Sequence, residues 1–191
     1  MVCFSVFFIS SFSQGYKISG EIKNMQDTTV ILAYYFGGKQ YATDTTEITN
    51  GKLTFSGDKE LDGGIYLMVL PSGKYFELII SEQKFSFTTD KNDLVQSMRF
   101  QNSRENTAFY EYLNYITEKQ KEVSPLKEKQ NNAKSEEEKG EVQKEIAKVD
   151  ENVRAYRDTF NKKYPNVFLV RLFVLLQILK SRKLHLILQE S

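Results

Sequence analysis

From Gly15 to Phe100 apolar and polar residues alternate with a period of two, and turn residues interrupt the alternation about every eight to twelve positions. An extended chain places successive side chains on opposite faces, so this rhythm predicts strands with one wet and one dry side. Tyr16, Ile18, Gly20 and Ile22 alternate with Lys17, Ser19, Glu21 and Lys23, giving a first strand that ends at Asn24 to Asp27. Thr29 to Phe36 is a second strand, and Gly37-Gly38 allows a tight hairpin into Lys39 to Thr43. Asn50-Gly51 joins Thr45 to Ile48 with Lys52 to Ser56 in antiparallel pairing. Gly63-Gly64 precedes Ile65 to Leu70, and Pro71-Ser72-Gly73 turns the chain. Tyr75 to Ile80 and Lys84 to Thr89 complete a meander, with Leu94 to Phe100 as a last strand.

After Gln101 the period becomes helical. Ser103 is a good N-cap, so a helix starts near Arg104, and Phe109, Leu113, Ile116 and Val123 share a face. Ser124-Pro125 predicts a break, and polar Asn131 to Gly140 predicts a corner. Val142, Ile146, Val149, Val153, Tyr156 and Phe160 recur at steps of four and three, the seam of a helix packed on another helix. Tyr164-Pro165-Asn166 ends it, and Val167 to Leu179 is a further apolar helix interrupted by Arg171. The expected fold class is α+β: an antiparallel β-sandwich or partly open barrel followed by an antiparallel helical arm.

Composition narrows the function classes. The 191 residues carry 26 Lys and Arg against 25 Asp and Glu, a formal charge of +1 that creates no global field for nucleic acid. No apolar run reaches the roughly 20 residues of a membrane span. Val2 to Phe12 is apolar, and Ser11-Phe12-Ser13 before Gln14 has the small-x-small pattern of a signal-peptidase site, although no Lys or Arg precedes it. That predicts export to the periplasm or cell envelope, with a signal peptide over 1–13, clipped at its start. The β-domain then spans 14–101, the helical arm 102–177, and an atypical tail 178–191, which reads as a frameshifted or truncated end.

The chain resembles the N-terminal half of Gram-negative envelope thiol-disulfide oxidoreductases of the thioredoxin-like, peroxiredoxin-related group. Gly15-Tyr16-Lys17-Ile18-Ser19-Gly20 and Asn50-Gly51-Lys52-Leu53-Thr54-Phe55-Ser56-Gly57 look like that family's domain of unknown function 4369. Ser103-Arg104-Glu105-Asn106, with Phe109-Tyr110-Glu111-Tyr112, resembles the start of its helical linker, and Lys163-Tyr164-Pro165-Asn166 the motif that closes it. In such proteins a thioredoxin-like domain with a WCxxC motif follows. This sequence contains one cysteine, Cys3, and no tryptophan, so no redox residue of the family has a matching position.

No catalytic constellation emerges. His185 has no second imidazole with which to share a metal. The glycine pairs lack phosphate-loop spacing, and Asp44, Glu47, Asp58, Glu60 and Asp62 lack calcium-loop spacing. Catalytic, cofactor-binding and metal-binding residues are therefore expected to be none, and the chain is expected not to be an enzyme. The aromatic series Tyr34, Tyr35, Phe36, Tyr41, Tyr66, Tyr75 and Phe76 fits core and cross-strand packing, and Tyr34, Tyr35, Tyr41, Tyr66 and Tyr75 form a candidate interaction surface. The expected function is a non-catalytic accessory or interaction module of an envelope thiol-disulfide oxidoreductase, with a protein partner or self-association. The alternative is a periplasmic module that binds a small glycan or peptide.

Overall fold

The computed structural model describes residues 15–172. The signal peptide, Cys3, His185 and the tail 178–191 lie outside the described residues. Contacts divide the chain into two units at Lys91/Asn92.

The first unit holds seven strands: β1 (Tyr16–Lys23), β2 (Thr28–Phe36), β3 (Lys39–Ile48), β4 (Lys52–Gly57), β5 (Gly64–Val69), β6 (Tyr75–Ile80) and β7 (Lys84–Asp90). They form two sheets, ordered β4-β1-β7 and β3-β2-β5-β6. Inward positions fall at alternate residues, as the period demands: Ile18 and Ile22 on β1, Phe55 on β4, Val30 and Leu32 on β2, Phe76, Leu78 and Ile80 on β6. Phe76 and Phe87 meet edge to face between the sheets, with ring centroids 5.5 Å apart. Gly20 makes room for this pair, since a Cβ there would lie 2.3 Å from Phe87 Cζ. The α+β class and the sandwich-like sheets thus follow the pattern read in the sequence.

Two details of the first unit depart from the expected meander. β1 and β7 pair in parallel, Ile18 opposite Phe85, because the chain crosses to the other sheet for β5 and β6 before it returns as β7. The two expected strands Lys39–Thr43 and Thr45–Ile48 are one strand, β3, whose register against β2 shifts between Leu32 and Ala33. A bulge absorbs the polar Thr43-Asp44-Thr45 run that looked like a turn. The Gly37-Gly38 turn is as expected, with φ of +56° and +79°.

The second unit opens with a turn instead of the strand expected from Leu94. Asp93 Oδ1 accepts the Gln96 N–H at 3.0 Å, and this local side-chain bond competes with an extended ladder. Only β8 (Arg99–Gln101) is extended. Then come α1 (Arg104–Asn132) and α2 (Glu136–Lys163). They lie antiparallel: Gln130 meets Gln143 near the tip, and Tyr115 stacks on Tyr156 with centroids 3.6 Å apart further down.

Pro125 does not break α1. It removes one donor, but residue 121 is exposed, so water can serve its carbonyl, and packing of α1 on α2 carries the helix past the gap. The corner is also tighter than Asn131–Gly140. Ser135 Oγ accepts Glu138 N–H at 3.1 Å while Glu138 Oε2 accepts Lys134 N–H at 2.8 Å, a reciprocal cap that starts α2 at once. The α2 seam is as read, with Val142, Ile146, Val149 and Phe160 buried. On α1 the inner face differs: Ala108 is buried and Tyr112 packs with it against Phe160, Tyr164, Val167 and Val170, while Phe109, Leu113, Ile116 and Val123 are half-buried. Among the described residues no helix is long and apolar enough to cross a membrane.

Candidate functional site

Cross-strand register decides which of the five candidate tyrosines meet. Tyr41 lies opposite Tyr34, and Tyr34 opposite Tyr66, so three tyrosines from β3, β2 and β5 form one row. Ring centroids are 5.7 Å apart at both steps. Tyr66 is buried, Tyr34 half-buried and Tyr41 exposed, so the row runs from core to surface. Tyr16 joins its inner end, donating its hydroxyl to Asp44 Oδ2 at 2.6 Å. Burial and then the Asp44 carboxylate push the Tyr16 phenol up to about 12, and burial with the nearby Asp62 and Tyr34 raises Tyr66. These hydroxyls stay protonated at neutral pH and act as hydrogen-bonding groups.

Tyr35 and Tyr75 belong elsewhere. Tyr35 faces the other side of β2, where its hydroxyl accepts from Gln40 Nε2 at 2.6 Å. Tyr75 pairs with Val69 at the far end of the sheet. The sequence reading therefore joined two surfaces into one. It also passed over Phe36, which packing was expected to bury and which is 72% exposed beside the Gly37-Gly38 turn. Phe76, from the same series, is in the core.

The acidic residues of this unit do not converge. Asp44 is engaged by Tyr16 and by the Thr45 N–H at 2.7 Å. Among the described residues no group of three His, Cys, Asp or Glu side chains could hold a metal.

The second unit brings together two phrases that lie far apart in the sequence. Ser103 caps α1 by accepting from Asn106 N–H at 3.3 Å and from Asn106 Nδ2 at 2.9 Å, which fixes the first turn. That turn aims Glu105 and Glu111 at the end of α2. Glu111 accepts both its carboxylate bonds from Lys163 Nζ at 2.8 Å, and Oε2 also accepts the Tyr164 hydroxyl at 2.7 Å. Glu105 accepts the Phe168 N–H at 2.8 and 3.1 Å, capping the short helical segment at 168–172. Burial opposes ionisation of Glu111, but Lys163, Tyr164 and Tyr156 outweigh it and hold the carboxyl below its usual range. The Glu111 hydrogen bond in turn raises Lys163, and burial followed by Glu111 pushes Tyr156 up to about 12. Ser103-Arg104-Glu105-Asn106 and Lys163-Tyr164-Pro165-Asn166 are thus two halves of one clamp. Each was visible as a phrase, but nothing local in the sequence joins them.

Beside the clamp lies a depression of about 340 Å³ lined by Met98, Arg99, Phe100, Thr107, Tyr110, Glu111 and Asn114. Asn114 Oδ1 is buried and accepts no hydrogen bond there.

Residues 16–109 match the domain of unknown function DUF4369. The DUF4369 match covers all seven strands of the first unit, the turn and β8, and ends within the first two turns of α1. Most of the helical arm lies beyond it. No curated protein and no solved structure matches the chain.

Proposed function

We propose that this chain is a non-catalytic interaction module of the cell envelope, accessory to thiol-disulfide oxidoreduction, in which the DUF4369 unit and the helical arm hold a redox partner in place. The Glu111 clamp carries the reading. It ties residues 163–168 back onto the first turns of α1, so the chain beyond Pro165 leaves the arm in a set direction. A spacer that must present a neighbouring domain needs such a fixed exit. The two phrases that build it are the ones that resemble the oxidoreductase linker. The single cysteine points the same way, because dithiol exchange needs two sulfurs and the 191 residues supply one.

The purified chain should show no insulin reduction, and it should perturb the amide spectrum of a ¹⁵N-labelled thioredoxin-like dithiol domain from the envelope when added in trans. Turnover by the chain itself, or an unchanged partner spectrum, would overturn the proposal.

A second reading, a binder of small glycans or peptides, is favoured by the depression at Asn114, where an unpaired acceptor meets Thr107, Tyr110 and Phe100. A thermal-shift screen of oligosaccharides and short peptides tests it, since a ligand selective for the folded state raises the midpoint. A uniformly flat screen would remove it.

A further inference from the structure

The tyrosine row of the first unit lies beside carboxylates that no cation of the described chain neutralises. Tyr34 is opposite Tyr66, the third residue of β5, and Asp62 precedes the first residue of that strand, Gly64, by two positions. Asp62 therefore stands at the end of the sheet nearest Tyr66, and after burial it is the main group that raises the Tyr66 phenol. Tyr16, raised by burial and by Asp44, also feels Tyr66 and donates its hydroxyl to Asp44. Asp44, Tyr16, Tyr66 and Asp62 are thus successive neighbours, and Tyr34 and Tyr41 lead from Tyr66 to the surface. Buried phenols normally find a hydrogen-bond partner, yet Tyr66 is 5% exposed and its hydroxyl, like those of Tyr34 and Tyr41, bonds to nothing among the described residues. Among the same residues no Lys or Arg pairs with Asp44 or Asp62, and none stands over any of these four rings.

We infer that this row binds a primary alkylammonium group, with Tyr34, Tyr41 and Tyr66 packing its methylenes and Asp44 and Asp62 supplying the opposing charge. Three features select that chemistry. Aromatic faces carry the negative side of the ring quadrupole, so they attract a cation and cover an alkyl stem at once. An ammonium brings three N–H donors, which the unpartnered phenol oxygens and the carboxylates can accept. Two carboxylates repel an anion, and among the described residues no three His, Cys, Asp or Glu side chains gather to hold a metal ion, so an organic cation is the charged ligand that remains. This inference is independent of the accessory role proposed above and gives the DUF4369 unit a ligand of its own.

Titration of the full-length protein with n-butylammonium chloride, followed by proton NMR of the ligand, tests this. The methylene signals should move upfield under the tyrosine ring currents and saturate, while those of 1-butanol, similar in shape but uncharged, should stay in place. Tyr41→Leu and Asp62→Asn, both at exposed positions, should each weaken binding about fivefold. Tyr75→Leu, which alters the pair with Val69 at the opposite end of the sheet, should leave it unchanged. N-acetyl-lysine methylamide in place of butylammonium separates the sources: tighter binding assigns the site to a lysine side chain, and equal or weaker binding to a free amine. Unmoved butylammonium signals would overturn the inference. So would equal shifts for 1-butanol, which would reveal a merely apolar patch, or affinity unchanged when Tyr41→Leu and Asp62→Asn are combined.

Discussion

Removing the carboxylate at position 111 should loosen residues 163–170 while leaving α2 intact. In the folded chain Glu111 accepts the hydroxyl of Tyr164, whose residue is 8% exposed, and both of its oxygens take Lys163. Glu111→Ala leaves the Tyr164 hydroxyl without its acceptor, and hydrogen bonds to charged groups contribute about 1.5–3 kcal/mol. The Lys163 pair adds little, because that ammonium is 56% exposed and such pairs contribute about 0–1 kcal/mol. A total near 2 kcal/mol corresponds to about 30-fold faster opening.

Hydrogen exchange reads this directly. The amides of Val167 and Val170 are bonded to Tyr164 and Val167 carbonyls, so each must open before it exchanges. They should exchange about 30-fold faster in Glu111→Ala, with the α2 amides between Val142 and Val149 unchanged. Glu111→Gln keeps an acceptor for the hydroxyl and loses only the charge, so about 1 kcal/mol and about a fivefold change are expected. Equal effects of Ala and Gln would show that the hydrogen bond to Tyr164 is not the main holding contact. No effect of either would refute the clamp and with it the fixed exit from the arm.

Further outcomes follow from the same geometry. Protection of Val167 should be flat near neutral pH and fall with acidification below 4.5, because Glu111 ionises more readily when folded and its stabilisation is lost as pH drops through its lowered value. The difference between wild type and Glu111→Gln isolates the clamp. At the alkaline end the raised Lys163 contributes below 10.5 and is lost as pH rises through its folded value. Gly20→Ala should destabilise the first unit by about 1–3 kcal/mol, since the new methyl would overlap Phe87, itself wedged against Phe76. Combining it with Phe87→Leu should cost less than the sum of the two, and strict additivity in urea melts would show that the overlap is relieved elsewhere. Pro125→Ala should raise the urea midpoint of the helical signal at 222 nm, adding about 2–3 kcal/mol to α1, and an unchanged midpoint would mean that the helix already opens at this point.

How much of this was legible depends on the distance over which each interaction acts. Strands with one buried face announce themselves, because alternation is a property of neighbouring residues: β1 was readable from Tyr16, Ile18, Gly20 and Ile22 alone. The Asn50-Gly51 and Gly37-Gly38 hairpins were readable for the same reason, since positive φ at both central residues is a local demand. Pro125 was misread because the rule for proline describes an isolated helix, whereas α1 is held on both sides of residue 125 by α2. Aliphatic spacing alone does not locate the inner face of α1, because tyrosines can pack their rings and still satisfy a hydroxyl, as Tyr115 does on the Asn152 carbonyl at 3.1 Å.

The candidate site was the least legible part, and the reason is register. Five tyrosines in the first unit looked equivalent in sequence, but a one-residue step along a strand reverses the face, so Tyr34 joins Tyr41 and Tyr66 while Tyr35 is turned away. Apolar character usually predicts burial for a residue such as Phe36, but the ladder between β2 and β5 stops at Tyr34 and Tyr66, and Phe36 beyond it is exposed. The clamp shows the same limit at longer range. Glu111 and Lys163 are separated by 52 positions, and either residue alone reads as one more solvated charge on a helix. What makes them a joint is that α1 and α2 have nearly equal lengths, 29 and 28 residues, so that a hairpin folded at Ala133 returns the end of α2 to the start of α1. Helix length, set by the caps at Ser103 and Ser135, thereby fixes where the chain leaves the arm.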